Sequence, residues 1–167
     1  MAIWLGVFDV ARRTVRTSGV TRFIAVALLS GYVWLGAAGL LALRFGDVAA
    51  GPEYDAILHA FFVGFVFSMI FGHAPIILPA VLRVRIAYRS AFYLPLGLLH
   101  ASLVLRLIGD CAPWLPGRRW GGLLNAVSVI VFFASMAYGI LASRTRGESA
   151  RAERVGPLTP YSRVEMP

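Results

Sequence analysis

The chain has 167 residues, about one domain by the usual length prior. Hydrophobic residues make up 59% and charged residues 14%, against about 45–50% and about 25% in soluble domains. With a mean hydropathy of +0.75, these values exclude a disordered chain, a collagen-like chain and an ordinary soluble domain, and they indicate a polytopic protein of the lipid bilayer. The net charge of +8 comes from arginines that flank apolar runs, so membrane topology explains it better than nucleic-acid binding. The single cysteine, Cys111, excludes an intrachain disulfide and a cysteine-based metal cluster.

Residues 1–19 form the predicted cytoplasmic N-terminal segment. Apolar residues recur there at helical spacing with arginines elsewhere on the wheel, which is typical of a short helix in the membrane interface; a frayed terminus is the alternative. The positive charges follow the apolar residues, unlike those of a cleavable signal peptide.

Four stretches within a predicted transmembrane domain of residues 20–142 are long and apolar enough to cross a bilayer, which requires about 20 residues; the third contains one charge, Arg106, near its end. Each must be helical because hydrocarbon offers backbone groups no water. The predicted spans are residues 23–43, 56–82, 91–109 and 120–142. The fold class is therefore all-α, a polytopic four-helix bundle, followed by a polar tail of residues 143–167 that we expect to be disordered.

Arginine placement predicts the orientation. Twelve of the sixteen arginines precede the first span, lie between the second and third, or follow the fourth. Because cytoplasmic loops carry the excess of arginine, both termini are predicted to be cytoplasmic, in the inner (plasma) membrane.

The three histidines all lie inside predicted spans: His59 and His73 in the second, His100 in the third. An ionisable residue in a span is costly and indicates function, although a neutral imidazole can also simply join two helices by hydrogen bonds. At about 100° per residue, His59 and His73 project from one face of the helix, about 21 Å apart along its axis. They cannot share one iron atom, but they can serve two sites stacked across the membrane.

Residues 59–79 read HAFFVGFVFSMIFGHAPIILP. The segment resembles the second transmembrane helix of the haem-copper oxidase subunit I superfamily, and its opening is similar to NnrS-type haem membrane proteins. The matching positions are His59, Gly64, Phe65, Val66, Met69, Ile70, Phe71, Gly72, Ala74, Leu78 and Pro79. The resemblance implies that His59 is an axial ligand of haem b near the outer face. The later helices that supply the copper site of an oxidase are absent, so the resemblance does not extend to oxygen reduction by this chain alone.

For the second ligand the resemblance favours His100, although the two histidines differ in depth by about 9 Å. His73 is the next candidate. A five-coordinate haem on His59 and a haem shared between two protomers stay open.

Three further residues are assigned to the predicted cofactor site. Gly64 lets a flat ring or a neighbouring helix approach the backbone, and Phe65, with the other phenylalanines, can wall a macrocycle or simply pack in the core. Arg106 has three interpretations: an ion pair with Asp110 one turn later, a guanidinium that extends to the interface, or a cation for haem propionates.

The sequence thus predicts a haem b-binding membrane protein that acts in electron transfer or in handling a diatomic gas such as NO or O2, as a component rather than a complete oxidase. Copper is the weaker cofactor candidate. The alternatives are a cofactor-free accessory subunit of a larger membrane complex and a transporter of metal ions or protons. A homo-oligomer or larger assembly is expected, and nucleic acid is not.

Overall fold

The computed structural model describes residue 9, residues 11–84 and residues 89–155, with side chains as far as residue 142. It contains four helices long and apolar enough to cross a membrane, which identifies a membrane protein and confirms the predicted number of spans. The first to fourth spans are Gly19–Phe45, Pro52–Leu82, Ser90–Cys111 and Leu115–Ala142. The described part of the chain contains no strand. We call the end at which the first span begins the proximal end, and the opposite end the distal end.

The second span is not a uniform α-helix. It begins as an α-helix over Pro52–Leu58, becomes a π-helix over His59–Val66 and returns to an α-helix over Phe67–Leu82. A π turn holds more residues than an α turn because its hydrogen bonds join residue i to i+5, so the segment rotates everything that follows it. The α-helical register that predicted His59 and His73 on one face is therefore interrupted. His59 is half-buried, whereas His73 is exposed.

The α-helix after this π segment passes through both of its prolines, Pro75 and Pro79. It ends where Arg83 adopts the left-handed conformation, with φ of 52°, and the Arg83 N–H donates to the Pro79 carbonyl.

Small residues bring the first two spans together. A Cβ atom on Gly31 would lie 2.7 Å from the end of the Met69 side chain and 3.1 Å from Ser68. One on Gly72 would lie 3.0 Å from Leu28. Such close approach increases van der Waals contact between the helices. In lipid this contact is a main attraction, because the acyl chains are as apolar as the side chains and no hydrophobic effect drives the helices together.

The third and fourth spans form a hairpin with a polar contact at its centre. The buried Ser102 hydroxyl lies 2.6 Å from the Asn125 side-chain oxygen, and a Cβ on Gly121 would lie 2.6 Å from the Arg106 backbone nitrogen. Towards the proximal end all four spans meet in an aromatic core, in which the Phe71 and Phe132 rings stack with centroids 3.8 Å apart. The buried members of that core are Phe23, Ala27, Phe71, Ala74, Phe92, Leu96, Leu99, Phe132 and Met136.

The two ends of the chain add detail to the predictions. The N-terminal segment contains a short helix, Ala11–Thr14, and Asp9 accepts a hydrogen bond from the Tyr32 hydroxyl, so this part of the segment packs beside the first span. Residues 1–8 and 10 of the predicted N-terminal segment lie outside the described residues. The fourth helix continues to Val155, into the segment predicted as a polar tail, where a local run of Ala, Arg and Glu favours helix.

Candidate functional site: three transmembrane histidines

His59 opens the π-helix, one turn after Asp55. Its Nδ1 lies 2.7 Å from the Asp55 backbone carbonyl oxygen. A carbonyl oxygen can only accept, so Nδ1 carries the proton, and in the neutral ring Nε2 keeps its lone pair. A hydrogen bond from one ring nitrogen to a carbonyl is the usual way in which proteins fix the tautomer and orientation of a metal-ligating histidine.

His73 has the same local arrangement. Its Nδ1 lies 2.8 Å from the Met69 carbonyl oxygen, so Nε2 again keeps the lone pair. Its side chain differs from that of His59 in facing outwards, between the exposed apolar residues Ile70 and Ile76.

His100 is fixed in the opposite tautomer. The Trp34 indole N–H donates to its Nδ1 at 2.9 Å, and its Nε2 lies 3.0 Å from the Ser30 hydroxyl oxygen. Because Nδ1 accepts, Nε2 carries the proton and donates to Ser30, whose own hydroxyl donates to the Ala27 carbonyl at 2.9 Å. Both ring nitrogens are therefore used in joining the third span to the first, and the lone pair of His100 already has a donor.

The ring that lies against Gly64 belongs to Trp34. A Cβ on Gly64 would be only 2.5 Å from Trp34 Cγ, and the indole also stacks on His100, with ring centroids 6.2 Å apart. Gly64 thus admits a neighbouring helix, one of the two roles predicted for it. The half-buried Phe65 ring lies 5.7 Å, centroid to centroid, from the exposed Phe61.

Arg106 belongs to a cluster of four charges at the distal end. Its Nε donates to the buried Asp110 carboxylate at 3.1 Å, which confirms the predicted pair. Arg118 Nε lies 2.7 Å from the other Asp110 oxygen. The two groups form an ion pair, but the Arg118 N–H is not directed at that oxygen as a hydrogen bond requires. Both guanidinium groups also approach one Asp55 oxygen, at 3.6 Å and 3.3 Å.

The distal cluster is balanced, with two carboxylates for two guanidinium groups, so Arg106 is accounted for without a haem propionate; that third interpretation stays a prediction. One of the four ion pairs, Arg106–Asp110, was predictable from sequence because both residues lie on one helix. The signal for the others is that Asp55 and Arg118 stand at ends of spans that meet at the same face of the membrane.

The three histidines differ in whether a ring nitrogen is free to bind a metal. His59 and His73 each present an unprotonated Nε2 with a fixed ring, whereas His100 would have to give up its bond from Trp34. No group of three or more His, Cys, Asp or Glu side chains that could hold a metal ion occurs in the described ranges.

A family model described as a domain of unknown function (DUF8744) matches residues 1–141. Comparisons with curated proteins and with solved structures gave no match.

Proposed function

We propose that this chain, a member of the DUF8744 family, is a haem b-binding membrane protein with His59 as an axial ligand. The proposal is argued from the residues of the chain itself. When bound, the haem supplies one-electron or diatomic-gas chemistry, and the protein fixes its orientation and keeps water away.

The observation that supports this proposal most directly is the His59 tautomer. Its Nδ1–H donates to the Asp55 carbonyl, so Nε2 has a lone pair and a defined direction before any metal arrives. The π-helix that begins at His59 is a second support, since π segments are rare and often occur at functional sites.

For the second axial ligand, our proposal differs from the sequence prediction, which favoured His100. Ligation by His100 would break the Trp34 bond and separate the stacked rings that hold the first span against the third. We therefore propose that a haem on His59 is five-coordinate within one chain, or takes its sixth ligand from elsewhere. An open position is what gas binding requires.

The proposed orientation places the arginine-rich proximal end in the cytoplasm and His59 near the outer face of the inner membrane. His59 then lies one turn from the distal charge cluster, on the side where a periplasmic or extracellular electron donor would approach.

The test is haem content and absorption of the protein purified in mild detergent after reconstitution with hemin. We expect a Soret band, and we expect His59→Ala to lose one equivalent of haem per chain. The control is His100→Ala, which leaves the haem of His59 in place while lowering stability. A preparation that stays colourless, or a band that depends on His100 and not on His59, contradicts the proposal.

The His100 hydrogen bonds favour one alternative, a cofactor-free accessory subunit in which histidine joins helices. It predicts a colourless protein that copurifies with other subunits of a membrane complex.

A further inference from the structure

We propose that a cleft at the proximal end, between the first and third spans, binds one anionic phospholipid with its phosphate against Arg22. The cleft lies at the opposite end of the bundle from His59. Lipid binding there does not depend on the haem proposed for His59.

The cleft has a volume of about 360 Å³ and opens where the first and third spans both begin. Small-molecule sites commonly have volumes of about 300–1,000 Å³. One wall is held in place, because the Tyr93 ring packs edge-on against the buried Phe23 ring with centroids 5.2 Å apart. A Cβ on Gly19 would have no other atom within 4 Å, so the cleft is open on that side. The residues that line it are Ser18, Gly19, Arg22, Val26, Ser90 and Tyr93.

The polar side chains of the cleft are available to a ligand. Arg22, Ser18, Ser90 and Tyr93 make no side-chain hydrogen bond or ion pair with any described residue. Ser18 precedes the first span, but its hydroxyl caps no backbone N–H of that helix. A guanidinium has five N–H donors, each hydroxyl adds one, and no carboxylate lines the cleft. This set favours an occupant that is negatively charged and rich in acceptor oxygens, as a phosphate ester is.

The depth of the cleft matches that of a lipid headgroup. The first span has 27 residues and is about 40 Å long at about 1.5 Å per residue, whereas the hydrocarbon of a bilayer is about 30 Å thick. About 5 Å at each end therefore lies among the headgroups, and Arg22 stands in that first turn. Val26, one turn deeper, lies at the level of the acyl chains. A phospholipid can thus meet the polar and the apolar part of the cleft together, which free phosphate cannot.

The charge of the proximal end favours an anionic lipid over a zwitterionic one. Four exposed arginines stand within four residues of the span ends there, and no Asp or Glu does. They are Arg16, Arg22, Arg83 and Arg89. The ammonium group of a zwitterionic headgroup would find no carboxylate in the cleft. Basic pockets between transmembrane helices are typical sites for anionic headgroups.

The experiment measures which phospholipid the full chain retains in mild detergent, by native mass spectrometry without added hemin. The detergent contains equal amounts of phosphatidylglycerol and phosphatidylcholine with the same acyl chains, so that only the headgroup differs. We expect one phosphatidylglycerol per chain, retained about fivefold more than phosphatidylcholine, as one arginine beside a net negative headgroup implies. Excess inorganic phosphate should not displace it, because phosphate has no acyl chain to lie against Val26.

Two arginine variants distinguish the cleft from a diffuse basic surface. Arg22→Gln should bring the ratio of the two retained lipids close to one. The matched control is Arg89→Gln, which removes an exposed arginine at the same end. Its guanidinium lies over the Tyr138 ring, 5.2 Å from the centroid, and does not line the cleft. This control should keep the ratio within about twofold of the wild-type value, because charges outside the site are screened.

Tyr93→Phe tests the cleft by a second route. It removes the hydroxyl and keeps the ring that packs on Phe23. We expect it to lower the retained phosphatidylglycerol by about two- to tenfold, the effect of one lost hydrogen bond. Its unfolding in SDS should match that of the wild type, which separates lost binding from lost structure.

Three outcomes overturn the proposal. The first is equal retention of the two lipids by the wild-type chain. The second is an equal fall in Arg22→Gln and Arg89→Gln, which would mean a diffuse basic surface. The third is displacement of the lipid by inorganic phosphate, which would mean a site for the free anion. Because no hemin is added, none of these results bears on the haem proposed for His59.

Discussion

Replacing Asp110 by asparagine tests how the distal end of the bundle is held together. Asp110 is the only fully buried member of the cluster, with a side-chain exposure of 0%, and it contacts both Arg106 and Arg118. The substitution preserves the shape of the side chain but leaves two guanidinium groups with the carboxylate of Asp55 alone.

The expected cost follows from the two lost contacts. A hydrogen bond to a charged group contributes about 1.5–3 kcal/mol, and breaking a buried ion pair by removing one partner costs about 3–5 kcal/mol. Arg106 and Arg118 are 16% and 26% exposed, so part of their charge stays solvated. We therefore expect Asp110→Asn to lower the free energy of unfolding by about 3 kcal/mol, the lower end of that range.

The assay is reversible unfolding by SDS in mixed micelles, followed by tryptophan fluorescence. The control Asp47→Asn removes a carboxylate that is exposed at the same end, and it should change stability by less than about 0.5 kcal/mol. Adding Arg118→Gln to Asp110→Asn restores charge balance and should recover part of the loss. The cluster does not stabilise the bundle as inferred if Asp110→Asn costs no more than the control, or if the double variant is no more stable than Asp110→Asn alone.

Three further substitutions examine other contacts, two of them by the same unfolding measurement and the third by proteolysis. Gly64→Ala should cost about 1–3 kcal/mol, because its Cβ would meet Trp34 at 2.5 Å, whereas Gly39→Ala, with nothing within 4 Å, should be neutral or stabilising. His100→Phe removes two interhelical hydrogen bonds, each worth about 0.6 kcal/mol in a membrane, and should also shift the emission of Trp34. Tyr32→Phe should make the N-terminal segment more sensitive to trypsin, and unchanged cleavage would contradict the contact that we assign to its hydroxyl.

The parts of the structure that were predictable from sequence are those that depend on neighbouring residues. Hydropathy located all four spans, because a bilayer requires a continuous apolar stretch whatever the helices pack against. The Arg106–Asp110 pair was predictable for the same reason, since residues four apart in a helix are always neighbours.

What only the tertiary structure decided is which histidine is available for a ligand. The partners of His100, Ser30 and Trp34, lie 70 and 66 residues away in the chain, and helical periodicity contains no information about them. The π-helix after His59 likewise changes which residues share a face, and a pattern that assumes a constant turn cannot show it. The sequence by itself determined that three imidazoles lie within the membrane; packing between helices determined the tautomer of His100, because a proton goes to the nitrogen whose neighbour can accept it.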